Sequence, residues 1–318
     1  MFSFDKAALE KASAETGFVR DNLEKVYRLM DVLEFINNNP FLKDKLVLKG
    51  GTAINLTVFD LPRLSVDIDL DYCNNCSKDE MLADRKEIEM LLVRYMNASG
   101  YKVDSDRGKD SHALTSWAFS YINAGGNNDN IKIEINYAMR AHILPFVSKN
   151  IDFDFLEKKI DIVSLAPQEL FGSKIKALLE RTAARDLYDV HNMLSGKVFD
   201  SEELEMLRKC VAFYRTVGST GEFIERIDFG VIDKLTQSKV RQTLLPVLKR
   251  GTFVDISVMK SEVKQFLESL MKLTDQEQMY IDDFNKGKYS PELLFNDVRV
   301  IERINNHPMA LWKCGRAL

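Results

Sequence analysis

Asp67 and Asp69 stand two residues apart in Val66-Asp67-Ile68-Asp69-Leu70-Asp71, where apolar and acidic residues alternate. Such alternation marks a half-buried β-strand, and residues two apart on a strand share a face. The three carboxylates therefore point one way, while Val66, Ile68 and Leu70 point into a core. Like charges side by side repel, so the row makes chemical sense with a cation between its members. Oxygen-only clusters suit Mg²⁺, which is commonly shared with substrate phosphates. Just upstream, Leu46-Val47-Leu48 runs into Lys49, Gly50, Gly51 and Thr52, and then into an apolar helical stretch, Ala53 to Phe59. Glycine lets backbone approach a ligand closely. A helix start offers free N–H groups to a phosphate, and the Thr52 hydroxyl suits a helix cap or a phosphate contact. Strand, Gly-Gly-Thr, helix and acidic strand together make a device for holding a nucleoside triphosphate on metal.

A second constellation lies in the helical pattern that starts at Ala166-Pro167-Gln168-Glu169, with proline near the first turn and an acid close behind it. At about 100° per residue, Lys174, Arg181 and Arg185 fall within an arc of about 40° on one continuous helix, with Asp189 slightly further round. Three cations on one face suit a triphosphate, although a basic face is more often simply solvated. Asp186 falls on the apolar side with Ile175, Leu179 and Val190, where a carboxylate needs a partner. It is expected to orient an arginine or cap a chain end. The single-face arrangement requires that the helix run unbroken through Thr182 to Ala184.

Gly50-Gly51-Thr52 followed by Arg63-x-Ser65-x-Asp67-Ile68-Asp69-Leu70 resembles the AbiEii/AbiGii-type nucleotidyltransferase toxins of the polymerase-β-like superfamily. Many members carry Gly-Ser where this chain has Gly-Gly-Thr, and the hydroxyl is kept. Lys174-x-x-Ala177-Leu178-x-x-Arg181-x-x-x-Arg185-Asp186-Leu187-Tyr188-Asp189 is similar to the second signature of the same family. The resemblance implies that Asp67 and Asp69 hold Mg²⁺ and that Gly50, Gly51, Thr52, Arg63, Ser65, Arg181 and Arg185 bind the nucleotide. It also implies that Lys174 contacts nucleotide phosphate and that Asp189 is needed for activity. A third acid on a strand beside Asp-x-Asp activates the attacking hydroxyl or helps hold metal in this superfamily. Glu134, in the alternating run Ile131 to Tyr137, is that candidate; the alternative is a solvated edge-strand glutamate paired with Lys132. Glu134 and Asp189 are both candidate bases.

The elements that must position these residues follow from pattern. Helices are expected over residues 4 to 37, 78 to 97, 202 to 217, 256 to 273 and 290 to 305, and 231 to 250 also reads as helical. Ala113 to Ile122, with Trp117, Phe119 and Tyr121 at a two-residue step, and Ile131 to Tyr137 read as strands joined by a hairpin at 124–128. Residues 141 to 166 read as a linker with one short strand, Ile160 to Val163. The chain of 318 residues suggests two domains. The expectation is an α+β fold: a nucleotidyltransferase-like mixed β-sheet domain with flanking helices over 1–150, then a mainly helical domain over 151–318. The second domain contributes Lys, Arg and Asp to a cleft.

Net charge is −4, so a nucleic-acid partner would have to meet a local basic patch. Lys234, Lys239, Arg241, Lys249 and Arg250 are one candidate, against the plainer reading of a solvated helix. No apolar run is long enough to span a bilayer, and the charged N-terminus is unlike a secretory signal. A cytoplasmic protein is expected. Cys73 and Cys76 form a C-x-x-C with no matching second pair, so free thiols are expected rather than a four-ligand zinc site.

The resemblance implies a Mg²⁺-dependent nucleotidyltransferase, the toxin of a toxin–antitoxin system with a role in phage defence. It would move a nucleotide from an NTP to RNA, with tRNA 3′ ends as acceptor and a cognate antitoxin as partner. Nucleotide transfer to a protein hydroxyl is the first alternative, and a non-catalytic nucleotide-binding regulatory module the second. Two adjacent carboxylates weigh against a pure binder. Asp67→Ala or Asp69→Ala is expected to abolish transfer and leave a folded protein, since neighbouring carboxylates repel without a cation between them. Circular dichroism and a transfer assay check this; an unfolded Asp69→Ala protein, or transfer persisting in EDTA, contradicts it.

Overall fold

The computed structural model describes residues 5–153, 159–218 and 226–316. Residue 4, the first of the expected N-terminal helix, lies outside them. Along the chain run helices α1 (Lys6–Thr16) and α2 (Arg20–Asn38), strand β1 (Leu46–Lys49), helix α3 (Gly50–Ala53) and strand β2 (Asp67–Tyr72). Helix α4 (Lys78–Ala98) and strands β3 (Lys102–Asp110), β4 (Leu114–Ile122), β5 (Asn128–Asn136), β6 (Val147–Ile151) and β7 (Ile160–Ser164) follow. The remaining helices are α5 (Pro167–Arg181), α6 (Ala184–Ser195), α7 (Ser201–Gly218), α8 (Gln237–Lys239), α9 (Ile256–Leu270), α10 (Asp275–Asn285), α11 (Val298–Ile304) and α12 (Pro308–Arg316).

The seven strands among the described residues form one mixed sheet in the order β3-β4-β5-β2-β1-β7-β6. The Asp-x-Asp strand β2 is therefore central, antiparallel to β1 and parallel to β5. Its inward side chains, Ile68 and Leu70, are buried as the alternation requires, each stabilising the fold by about 1.5–3 kcal/mol. Helix α4 opens with a capping box, in which Ser77 and Glu80 exchange bonds, so its start is legible from sequence.

Four expectations are corrected. The helix expected over 290–305 is a 3-10 turn at Pro291–Leu293 followed by α11. The N-terminal helix is two helices, because Gly17 takes φ +80° and its N–H bonds to Ser13 O, closing α1; glycine is the residue that ends helices this way. Among its described residues the 141–166 region holds two strands, not one: β6 pairs antiparallel with β7 at the sheet edge. Its sequence Val-Ser-Lys-Asn-Ile is mostly exposed, so hydrophobic periodicity gives no sign of it. The 231–250 stretch is a series of short turns, with 3-10 helix at Phe229–Lys234, α8, and π-helix at Val240–Leu244.

The chain divides into two compact units. The first comprises Met1–Arg140, Phe146–Leu165 and Pro246–Thr252; the second comprises Ala141–Pro145, Ala166–Leu245 and Phe253–Leu318. A single boundary at 150 therefore falls inside the first unit, which also takes back a distant segment. Within that unit Leu64 N–H donates to Val247 O at 2.8 Å, and Arg63 bridges to Leu248. In the second unit, fully buried Glu169 accepts from the N–H groups of Ile143 and Leu144 and from Tyr214 Oη, satisfying a carboxylate that could not otherwise be buried.

Helix α5, which carries Lys174, packs against α7 at Gly172. A Cβ there would lie 2.7 Å from Cys210 Cβ and 3.1 Å from the Cys210 carbonyl carbon. Gly→Ala inside a helix ordinarily stabilises by about 1 kcal/mol. Here overpacking outweighs that gain, so Gly172→Ala is expected to destabilise by about 1–3 kcal/mol in urea unfolding. Unchanged or raised stability contradicts so close an approach of the two helices.

Candidate active site

In the first unit, β1 delivers the chain to Gly50 at φ +73°. A Cβ on Gly50 would meet Asp69 Oδ2 at 2.3 Å and Asp69 Cβ at 3.0 Å. No other residue fits, for reasons of conformation and of space. A Cβ on Gly51 would meet Arg63 Nη2 at 2.9 Å and Ser65 Oγ at 3.1 Å. The loop thus lies directly on Asp69, Arg63 and Ser65, and the first signature converges in space as well as in sequence.

From Gly50 the α3 turn continues without a break into π-helix at Ile54–Val58, a geometry that recurs at functional sites. Asn55, fully buried, donates from Nδ2 to Gly51 O at 2.9 Å. Sequence reasoning passed over Asn55; a lone amide within an apolar helical run was the available signal. The N-cap of α3 is Lys49, not Thr52. Thr52 is buried, and its hydroxyl donates to the Asp67 carbonyl. It ties the helix start to the acidic strand. Arg63 is likewise buried, at 1% exposure, and donates to Leu64 O.

Asp71, the third acid of the strand, is buried and paired with Lys49 Nζ. Burial pushes its carboxyl above the usual range, and Lys49 offsets part of that. Asp67 and Asp69 are half-buried on the same face. In the parallel pairing with β5, Asp67 stands opposite Lys132 and Asp69 opposite Glu134. In-register residues of parallel neighbours share a face, so Glu134 joins Asp69 there. Strand β5 lies between β4 and β2 and is no edge strand. Lys132 Nζ also ion-pairs with Glu134. Among the described residues, no three His, Cys, Asp or Glu groups converge as metal ligands. Two carboxylates fit Mg²⁺, whose remaining ligands are normally water and phosphate oxygens.

In the second unit the helix breaks where the single-face arrangement required it to continue. Helix α5 ends at Arg181, Thr182 takes φ 51°, and α6 starts at Ala184. A left-handed β-branched residue is an outlier and costs on the order of 1–3 kcal/mol. The turn brings Asp186 and Asp189 onto Lys174, whose Nζ lies 2.9 Å from Asp186 Oδ1 and 3.2 Å from Asp189 Oδ2. Arg181 reaches the same Asp186 twice, Nε to Oδ2 at 2.7 Å and Nη2 to Oδ1 at 3.0 Å, a charge-assisted fork. Asp186 thus orients an arginine, as its sequence position suggested. Arg185 Nε donates to Thr243 O at 2.6 Å. Lys174 is 7% exposed and Asp189 is fully buried. Lys176 lies apart and pairs with Glu180 at 2.7 Å.

Burial pushes the Asp186 carboxyl up, but Lys174 and Arg181 outweigh it and hold the group below the usual range. A depressed carboxyl stabilises the fold above its unfolded pKa, about 3.9, and that contribution disappears as pH falls through the folded value. Asp186→Asn is therefore expected to cost about 3 kcal/mol in urea unfolding at pH 7, with the gap to wild type narrowing as pH drops below 4. A gap independent of pH contradicts the ion-paired carboxylate.

A family model described as "Nucleotidyl transferase AbiEii toxin, Type IV TA system" matches residues 32–285. No curated protein matches the sequence. Among solved structures, MenT4, a nucleotidyltransferase toxin from Mycobacterium tuberculosis H37Rv, is similar over 98% of this chain and 99% of its own, with a TM-score of 0.63 and 16% identity. At that identity the likeness is one of fold. No helix among the described residues is long and apolar enough to cross a membrane. The family match spans both signatures, from α2 to the end of α10, and on that ground the chain belongs to the AbiEii nucleotidyltransferase toxins of type IV toxin–antitoxin systems.

Proposed function

We propose that this nucleotidyltransferase moves a nucleotide from an NTP to the terminal hydroxyl of an RNA, tRNA 3′ ends foremost, and releases pyrophosphate. The observation that carries this reading is the seat of Gly50 on Asp69, with a Cβ-sized space closed to 2.3 Å and Glu134 in register beside it. Asp67 and Asp69 would hold Mg²⁺, which when bound orients the phosphates and offsets their charge. Lys49 already neutralises Asp71, which leaves the pair and not the trio for that task. Backbone at Gly50 and Gly51 would cradle phosphate oxygens, with Ser65 beside them. Buried Arg63 and Thr52 would shape this loop from beneath rather than touch the nucleotide.

The RNA hydroxyl oxygen would form a bond to the α-phosphorus. The bond from that phosphorus to the bridging oxygen breaks, and pyrophosphate leaves with the electron pair. Glu134 would take the hydroxyl proton, being half-buried beside Asp69, whereas Asp189 is fully buried against Lys174. Asp189 and Asp186 would instead orient Lys174, the residue assigned to nucleotide phosphate by its place in the signature, with Arg181 alongside. Blocking tRNA ends would account for toxicity in the cytoplasm, restrained by a cognate antitoxin.

Purified protein with total RNA, cell extract and each α-labelled NTP in turn tests the acceptor. Label removed by RNase and retained after protease is expected; label removed by protease alone contradicts the RNA acceptor and supports transfer to protein. In the same assay, Lys174→Gln is expected to lose about a hundredfold or more in rate, while Lys176→Ala changes the rate little. Assays run at temperatures where circular dichroism shows both proteins folded, because removing Lys174 leaves two buried carboxylates facing each other. Greater damage from Lys176→Ala contradicts the assignment.

A further inference from the structure

We infer that Lys132 is the resident cation of the acidic face: it holds Glu134, so that Asp67 and Asp69 take a single divalent metal ion with the nucleotide. This rests on Asp67 and Asp69 as the metal pair proposed above. Strands β1 and β5 each set a lysine in register with one member of that pair, Lys49 with Asp69 and Lys132 with Asp67. Each lysine ion-pairs with a further acid of the same face, Lys49 with Asp71 and Lys132 with Glu134. The two pairs differ in exposure. The Asp71 side chain is 2% exposed, and its pair is an internal brace. The side chains of Lys132 and Glu134 are 42% and 26% exposed, so solvent and substrate reach them.

Two-metal sites hold their ions about 3.5–4 Å apart, and each ion needs oxygen ligands. Glu134, opposite Asp69 in the parallel pairing, is the acid placed to serve a second ion. Its Oε2 accepts from Lys132 Nζ instead. Among the described residues, no three His, Cys, Asp or Glu groups converge as metal ligands, in keeping with a Glu134 held by lysine and not gathered with the aspartates. Charge points the same way. Asp67, Asp69 and Glu134 together with Lys132 leave two negative charges, which one divalent ion offsets. Lys49 and Asp71 cancel each other. An ammonium is a compact point charge with three donors and no acceptor. Glu134 takes one donor, which leaves the others for a phosphate oxygen. Lys132 and Glu134 are two apart on one strand and so share its face, and β5 lies inside the sheet between β4 and β2. Lys132 is thus a positioning residue. It acts through Glu134, keeping that carboxylate beside Asp69 and off the metal, free to accept the hydroxyl proton.

The test titrates Mn²⁺ into the full chain with an equimolar α,β-methylene analogue of each of the four ribonucleoside triphosphates in turn. Calorimetry counts the bound ions, and electron paramagnetic resonance separates a lone Mn²⁺ from an exchange-coupled pair. Wild type and the conservative Lys132→Arg are expected to bind one ion with an uncoupled spectrum. Lys132→Ala is expected to bind two, with a coupled spectrum, because Glu134 is released to the metal. Lys132→Ala/Glu134→Gln is expected to return to one. A coupled pair in wild type overturns the inference by itself, whether or not Lys132→Ala folds. A folded Lys132→Ala protein that binds a single uncoupled ion also overturns it. Both of these results leave the metal pair standing if Asp67→Asn/Asp69→Asn loses its bound Mn²⁺. Wild-type Mn²⁺ binding by that double variant, or no binding by wild type, overturns the metal pair and this inference with it.

Discussion

The first unit depends on one close approach, that of the Gly50 backbone to the Asp69 carboxylate. Strands β1 and β2 are hydrogen-bonded neighbours, with Lys49 opposite Asp69. The chain leaves β1 by folding back over the acid it has just paired beside. That path needs a positive φ and the absence of a side chain at the same residue, and glycine alone supplies both. The surrounding bonds hold the contact in place. Thr52 fixes the helix start to Asp67, Asn55 holds the Gly51 carbonyl, and Lys49 takes the one strand acid too buried to meet a ligand. The result is two carboxylates beside a glycine loop, on the central strand of a sheet, with Ile68 and Leu70 of that strand buried on its other face.

The second unit solves a different problem with similar economy. A buried lysine without a partner would shed its proton or unfold its surroundings. Here Lys174 is matched by Asp186 and Asp189, and Asp186 by Arg181 as well. The left-handed Thr182 makes this possible by starting a new helix at the position where two carboxylates come to face the lysine. The strain at one residue is offset by several charge-assisted bonds.

Much of the first site was legible because it is local. Alternation placed Asp67 and Asp69 on one face, and Gly50-Gly51 announced a close approach at the right distance in sequence. The strand carrying Glu134 was legible too, but its register against Asp69 was not, since pairing between distant strands leaves no local trace. The break at Thr182 was hidden because threonine rarely adopts that backbone and nothing nearby signals it; the surroundings impose it, and with it fell the shared face of Lys174, Arg181 and Arg185. Asp71 and Thr52 look like ligand residues in the sequence, and only their burial, against Lys49 and the Asp67 carbonyl, shows them to be internal braces. The return of Pro246–Thr252 to the first unit is likewise a long-range contact that pattern cannot reveal.

The most direct test of this account is the rate of nucleotide transfer by Gly50→Ala protein at saturating NTP and Mg²⁺, at a temperature where circular dichroism shows it folded. A Cβ at that position displaces the Asp69 carboxylate or the loop above it, so a loss of about a hundredfold or more is expected. A folded Gly50→Ala protein that transfers nucleotide at the wild-type rate would contradict the claim that this contact organises the site.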